Sequence, residues 1–410
     1  MVLKLLKALC TQGAAVAALL LACACAQAQH ADHADHRKDA TRGRVELAAS
    51  AAFDAQGVLW AVSKSGGQVM LRRSADAGKS WSAPQPVNAV PEGIGAEGDA
   101  RPKIALGVKG ELYVTWTKPL SKPYTGEIRF ARSLDGGKSF SAPVTVHADR
   151  QEITHRFDAL TVTRDGKLFI AWIDKRDGLA AVKNKNGKNA HYRGAAVYFA
   201  VSDNQGASFR GDFKLADYSC ECCRIAMLPR DDGNVLALWR HVFEPNVRDH
   251  AMALMRADGS AGAVRRATFD EWALDVCPHH GPSLAAGGDG RLHAVWFTQG
   301  NKRAGVYYGR LSANGEGGVD TPRRVGGDSA EHADLAASGT RVVVVWKEFD
   351  GMRSRLRAMI SDNAGDSWRE RELSATAGAS DQPRVLEHGG RFYAFWNTQR
   401  EGFTTAAVMP

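Results

Sequence analysis

Four copies of one eight-residue pattern, spread over most of the chain, constrain the fold more than anything else in this sequence. They are Ser74 to Trp81 (SADAGKSW), Ser133 to Phe140 (SLDGGKSF), Ser202 to Phe209 (SDNQGASF) and Ser361 to Trp368 (SDNAGDSW). Each reads Ser-x-Asp/Asn-x-Gly-x-Ser followed by an aromatic residue. The Ser and Asp side chains can bond turn amides, the Gly can take a positive φ, and the aromatic can anchor the departing strand in a core. Asn204 and Asn363 keep the oxygen acceptor of the Asp position and lose its charge.

A second repeat runs beside the turn. It is a short apolar strand, a turn that usually contains Gly, and a strand of alternating apolar and polar residues that usually ends in Trp. The seven copies begin with Gly57 to Ser63 and continue with Gly110 to Trp116, Gly166 to Trp172, Gly233 to Trp239, Gly290 to Trp296, Thr340 to Trp346 and Gly390 to Trp396. Their ends lie between 50 and 67 residues apart, about one four-stranded sheet each. Period-2 alternation suits strands whose two faces pack on neighbouring sheets, so the tryptophans are expected in the seams. Met255 to Ser260 and Leu311 to Gly317 occupy the turn position of the fourth and fifth repeats without the full pattern.

The turn motif resembles the Asp-box of the sialidase-like β-propeller superfamily, and the resemblance covers most of the chain after about residue 45. It implies an all-β propeller with Asp-box repeats. Sialidase-like domains usually have six blades, whereas the repeats here predict seven, with six as the alternative. No fourth strand follows Met409, so either the last blade is short or an N-terminal segment completes it.

Lys4 and Lys7 precede an apolar run from Ala14 to Leu21 and then small residues, the layout of a secretory signal. Residues 1–26 are therefore expected to direct export to the periplasm. Leu20-Leu21-Ala22-Cys23 also resembles a bacterial lipobox, which would lipidate Cys23 and anchor the protein to the outer membrane. Residues 27–44 form a polar linker in which His30, His33 and His36 are either copper or zinc scavengers or incidental. Residues 45–410 form the propeller. The net charge of +8 is scattered among acids without a dense basic block, which argues against nucleic acid as a partner. The oligomeric state is not encoded in any pattern.

In a propeller of this connectivity, the loop leading into each inner strand and the loop leaving each second strand meet at one mouth. The Asp-box turns lie on the opposite rim. The lead-in loops supply Arg101, His155, Arg156, Asp158, Arg224, Glu331, His332, Asp334, Asp381 and Arg384. The outgoing loops add Lys118, Asp174, Lys175, Arg176, Arg240, His241, Lys347, Glu348 and Arg400.

Cysteine is the most specific signal at that mouth. Cys220-Glu221-Cys222-Cys223 leads into the fourth repeat, and Cys277-Pro278-His279-His280 leads into the fifth at the same topological place. Thiolates with adjacent imidazoles, from Cys220, Cys222, Cys223, Cys277, His279 and His280, make a soft ligand set suited to copper(I) or zinc. Structural disulfides are the competing reading, since an exported protein meets an oxidising compartment and four cysteines pair evenly. Redox chemistry is a third. C-x-C-C lacks the paired spacing of a zinc ribbon, and spacing alone leaves the three open. Met227 is a candidate thioether ligand or a core residue.

The resemblance also implies a test for sialidase chemistry, which uses three arginines on the substrate carboxylate, a Tyr nucleophile with a Glu, and an Asp acid/base. Arg44 is the nearest substitute for the first arginine, and Arg224, Arg240 and Arg384 are candidates for gripping an anionic sugar. No Tyr falls at the mouth, because Tyr307 and Tyr308 lie in a third strand and Tyr393 in a second. Asp158 as acid, with Glu348 or Glu331 as base, is the remaining catalytic pairing. Three functions follow: soft-metal or ligand binding, glycoside hydrolysis of anionic sugars, and protein docking.

Overall fold

A computed structural model describes residues 45–183, 192–312 and 317–409, and the propeller begins at Leu47. The signal segment, Cys23, Arg44 and the histidine linker lie outside the described residues. Seven antiparallel sheets follow one another along the chain. Their inner strands are Ala49–Phe53, Lys103–Leu106, His155–Val162, Ala226–Pro229, Ser283–Ala286, Ala330–Ser338 and Arg384–His388. Among the described residues, six sheets have four strands and the seventh has three, ending at Gly402–Met409.

Each predicted second strand forms where the alternation placed it, and the tryptophans fill the seams. Trp116, Trp172, Trp239, Trp346 and Trp396 are fully buried, and Trp296 nearly so. Most indoles have found a partner for the N–H, as burial requires. Trp116 donates to Glu92 at 2.8 Å, Trp296 to Asp270 at 2.7 Å and Trp346 to Glu348 at 2.9 Å. The first repeat, which lacks the terminal Trp, places Trp60 three residues earlier and bonds it to Asp54 at 2.8 Å.

The Asp-box turns are built as their side chains dictate. Ser133 Oγ accepts the Gly137 amide at 2.8 Å, while Asp135 accepts the amide and hydroxyl of Ser139 at 3.0 and 2.6 Å. In the Asn versions the acceptor role survives, and the extra N–H of Asn204 donates to Ser208 Oγ at 2.9 Å. The Gly of the box also explains how blades dock. Gly78, Gly137, Gly206 and Gly365 all have φ between 74° and 91°. A Cβ there would press on Thr405, Trp60, Phe130 and Tyr308 respectively, each in the preceding blade. The degenerate fourth copy does the same through Gly259, which sits on Phe213. In the first blade Trp81 packs on Phe395 and Phe403 of the last, so the same contact closes the ring.

Among the described residues, one element departs from the all-strand expectation. Arg176–Lys183 is a short helix in the loop leaving the second strand of blade 3, the blade with the longest spacing. Asp177 in its first turn accepts Tyr198 Oη at 2.8 Å and Lys214 at 2.7 Å, which ties it to the blade beneath.

Candidate functional site

At the mouth, four lead-in loops meet in an alternating charge cluster. Asp99 Oδ1 lies 3.1 Å from Arg384 and 3.8 Å from Arg224, and Asp334 Oδ1 lies 3.8 Å from Arg224 and 4.0 Å from Arg384. Blades 2, 4, 6 and 7 are thereby cross-tied. Burial pushes the Asp99 carboxyl up, but the guanidinium groups of Arg224 and Arg101 outweigh it and hold the group below the usual carboxylate range. Beside it, Arg101 binds Asp381 through both terminal nitrogens at 2.7 and 2.9 Å and donates to Ala49 O at 2.7 Å.

The three arginines predicted to grip a sugar carboxylate are largely occupied. Arg240 is fully buried and donates to the carbonyls of Arg248, His280 and Phe297 at 2.9, 3.0 and 2.7 Å. Arg224 donates to Pro282 O at 2.8 Å, Gly281 O at 3.3 Å and Ala333 O at 2.9 Å, besides its two carboxylates. Arg384 bonds Asp99 and Gln382. The two catalytic candidates have separate partners. Asp158 is buried against Thr115 Oγ1 at 2.6 Å and Lys103 Nζ at 3.6 Å. Glu348 accepts Gly327 N at 2.7 Å, Trp346 Nε1 at 2.9 Å and Arg357 at 3.2 Å. Burial raises the Glu348 carboxyl, and these three donors bring it below its usual range.

The cysteines converge. Sulfur separations are 3.7 Å for Cys220 and Cys223, 3.9 Å for Cys220 and Cys222, and 4.0 Å for Cys222 and Cys223. All three are buried between blades 3 and 4, with Cys277 packed beside them. Cys220, Cys222, Cys223 and Cys277 are each free thiols, with no disulfide among them. Thiol donation from Cys222, Cys223 and Cys277 makes Cys220 the most acidic of the group, helped by Arg240. Arg248 Nη1 also reaches Cys220 Sγ at 3.4 Å. Met227 packs into the same apolar cluster as a core residue.

His280 does not join the sulfurs. It stacks on Phe297 at 4.1 Å and on His332 at 4.3 Å, and with His332 and Glu331 forms a second group of metal-capable side chains. His279 is exposed, with a positive φ of 53°. Burial pushes the His280 imidazole down to about 3 and that of His332 well below its usual value, so both rings are neutral near pH 7. His155, also expected at the mouth, is instead a seam residue stacked on His147 at 3.9 Å.

Sequence reasoning missed Asp99, Lys103 and Arg248. Asp99 and Lys103 flank Arg101 at alternate positions of one lead-in loop, a pattern that was there to be read. Arg248 precedes the third strand of blade 4 and carries no local signal; only the fold brings it to Cys220.

The molecule is therefore a seven-bladed Asp-box propeller with the sialidase-like fold, carrying a Cys cluster and a His/Glu cluster at its mouth. Comparison with solved structures finds the same fold in other proteins. An ulvan lyase bound to -[GlcA(1-4)Rha3S]- aligns with a TM-score of 0.52 at 9% identity, over 88% of this chain and 92% of that one. An α-L-arabinanase of Penicillium chrysogenum, complexed with arabinobiose, aligns with a TM-score of 0.52 at 12% identity, over 75% and 92%. A Hadza microbial sialidase aligns with a TM-score of 0.50 at 13% identity, over 84% and 74%. A scan against protein-family models gave no match, and neither did a comparison with curated proteins.

Proposed function

We propose that this protein is an exported propeller that binds a soft metal ion, copper(I) or zinc, through Cys220, Cys222, Cys223 and Cys277. The observation that carries the reading is the sulfur triangle of 3.7 to 4.0 Å. Thiolates about 2.3 Å from a shared ion stand ~3.8 Å apart in a tetrahedral site and ~4.0 Å apart in a trigonal one. Disulfide sulfurs stand about 2.05 Å apart. The site is nearly dry, and Arg248 and Arg240 supply positive charge that would balance several thiolates around one ion. An all-sulfur set suits copper(I) and zinc alike, and a histidine-rich linker behind a lipidated Cys23 would suit capture of copper in the periplasm.

Hydrolysis of an anionic sugar is the weaker reading. It would need Arg224 and Arg240 to release backbone carbonyls, and Asp158 and Glu348 to turn from separate sets of partners toward one bond. Docking of another protein has no distinctive surface in its favour among the described residues.

Metal content of protein purified in reductant tests the reading. The wild type is expected to hold about one equivalent of copper(I) or zinc in the thiol site, and a Cys222→Ser, Cys223→Ser variant to lose it. Equal copper and zinc content in the two proteins would sink the proposal.

A further inference from the structure

A second group of ligand-type side chains stands at the mouth apart from the sulfurs. His280 comes from the loop leading into blade 5, and Glu331 and His332 from the start of the inner strand of blade 6. One ligand atom from each lies within 4.8 Å of the other two. Glu331 Oε2 is 3.6 Å from His332 Nε2, while its other oxygen is 3.2 Å from Lys347 Nζ. Nδ1 of His280 is buried and has no hydrogen-bond partner. An unpaired imidazole nitrogen in such a place is costly unless something meets it.

The backbone around these residues is unusually constrained. The inner strand of blade 6 has a register shift between Glu331 and Asp334, and His332 within it has a φ of 51°. A bulge of this kind re-aims a side chain that regular pairing would have sent elsewhere. Arg224 then ties the two loops together, donating to Gly281 O and Pro282 O beside His280 and to Ala333 O beside His332. Arg240 holds His280 O from the other side at 3.0 Å. Gly281 is needed for this approach, since a Cβ there would overlap the backbone of Arg224.

We infer that His280, His332 and Glu331 form a second metal site, of borderline rather than soft character, that takes a divalent ion such as zinc or copper(II). Two imidazoles and one carboxylate are the ligand set of open zinc sites, in which a further position is left for water or an exogenous ligand. Ligands about 2.1 Å from an ion stand ~3.4 Å apart, close to the observed separation of Glu331 and His332. The two imidazoles, stacked at 15°, would tilt apart to aim both nitrogens at the ion. Lys347 on the second oxygen orients the carboxylate. The site goes beyond the thiol proposal and does not depend on it, because the two ligand sets share no residue.

Cobalt(II) loading separates the two, since thiolate ligation adds an intense near-ultraviolet charge-transfer band that nitrogen and oxygen ligands do not. The wild type is expected to bind about two equivalents, and the Cys222→Ser, Cys223→Ser variant about one, without that band. His332→Asn, which tolerates a positive φ, and His280→Gln should each retain about one equivalent with the band intact. Cobalt stoichiometry unchanged in both histidine variants, with circular dichroism showing them folded, would overturn the second site. Loss in the histidine variants with none in the cysteine variant would uphold this site and remove the thiol one.

Discussion

Asp99 and Arg384 are 285 positions apart in the chain and meet at 3.1 Å across the propeller mouth. Asp99 and Asp334 are both shared by Arg384 and Arg224, so loss of the Asp99 charge leaves two nearly buried guanidinium groups with one common carboxylate between them. Asp99→Asn is expected to lower stability by about 3 kcal/mol in urea unfolding. Because the folded carboxyl sits below its unfolded value, its contribution is complete above about pH 4 and fades as pH falls through the folded value. The variant should accordingly show a shallower loss of stability in acid than the wild type. An identical acid limb would contradict the pairing.

Positive φ and close inter-blade contact can be separated by substitution within the Asp-box turns. Gly136, at the variable position before the box Gly, and Gly206, a box Gly, both have positive φ, at 69° and 74°, yet Gly136 faces open space and Gly206 faces the ring of Phe130. Gly136→Ala should cost about 1 kcal/mol from backbone strain alone. Gly206→Ala adds overpacking against a buried ring and should cost about 2–4 kcal/mol. Equal losses in thermal or urea unfolding would show that the box does not clamp neighbouring blades.

Arg224→Lys keeps the charge near Asp99 and removes the planar fork that reaches three carbonyls. The loops bearing His280 and His332 should then lose their common tether. Zinc affinity at the His/Glu site is expected to fall by about 10–100-fold, as for other supports of metal ligands, with the sulfur site unaffected. Chelator competition on the Cys222→Ser, Cys223→Ser background reads this directly, and unchanged affinity would assign Arg224 to the charge cluster alone.

Thiol chemistry offers a check independent of metal content. Cys220, Cys222 and Cys223 are buried and Cys277 is partly exposed. In metal-free folded protein, iodoacetamide should label Cys277 first, and the other three only after unfolding. Metal-loaded protein, unfolded without reductant, should yield all four as alkylated peptides. A disulfide-linked Cys277 peptide would return the cluster to a structural role.

Much of the fold was legible because its determinants are local. A Ser, an Asp or Asn and a Gly within five residues satisfy one another's hydrogen bonds, and Asp135 accepts Ser139 whether or not the rest of the propeller is present. Seven alternating strands then require seven sheets, since each must bury both faces. What the sequence could also supply was a register, and that register brought Cys220 to Cys223 and Cys277 to the same part of the mouth.

Who bonds whom within the mouth was decided only in three dimensions. His279 and His280 follow Cys277 closely enough to look like part of its ligand set, yet a bulge in blade 6 brings His332 to His280 and draws that ring away from the sulfurs. Arg224 and Arg240 look like substrate grips in sequence. In the fold their donors face carbonyls of neighbouring loops, whose positions depend on strands 40 to 109 residues away. The physical reason is the same in each case. Turn chemistry is settled by side chains a few bonds apart, whereas the partner of a mouth residue is set by how seven blades close, and no local pattern carries that closure.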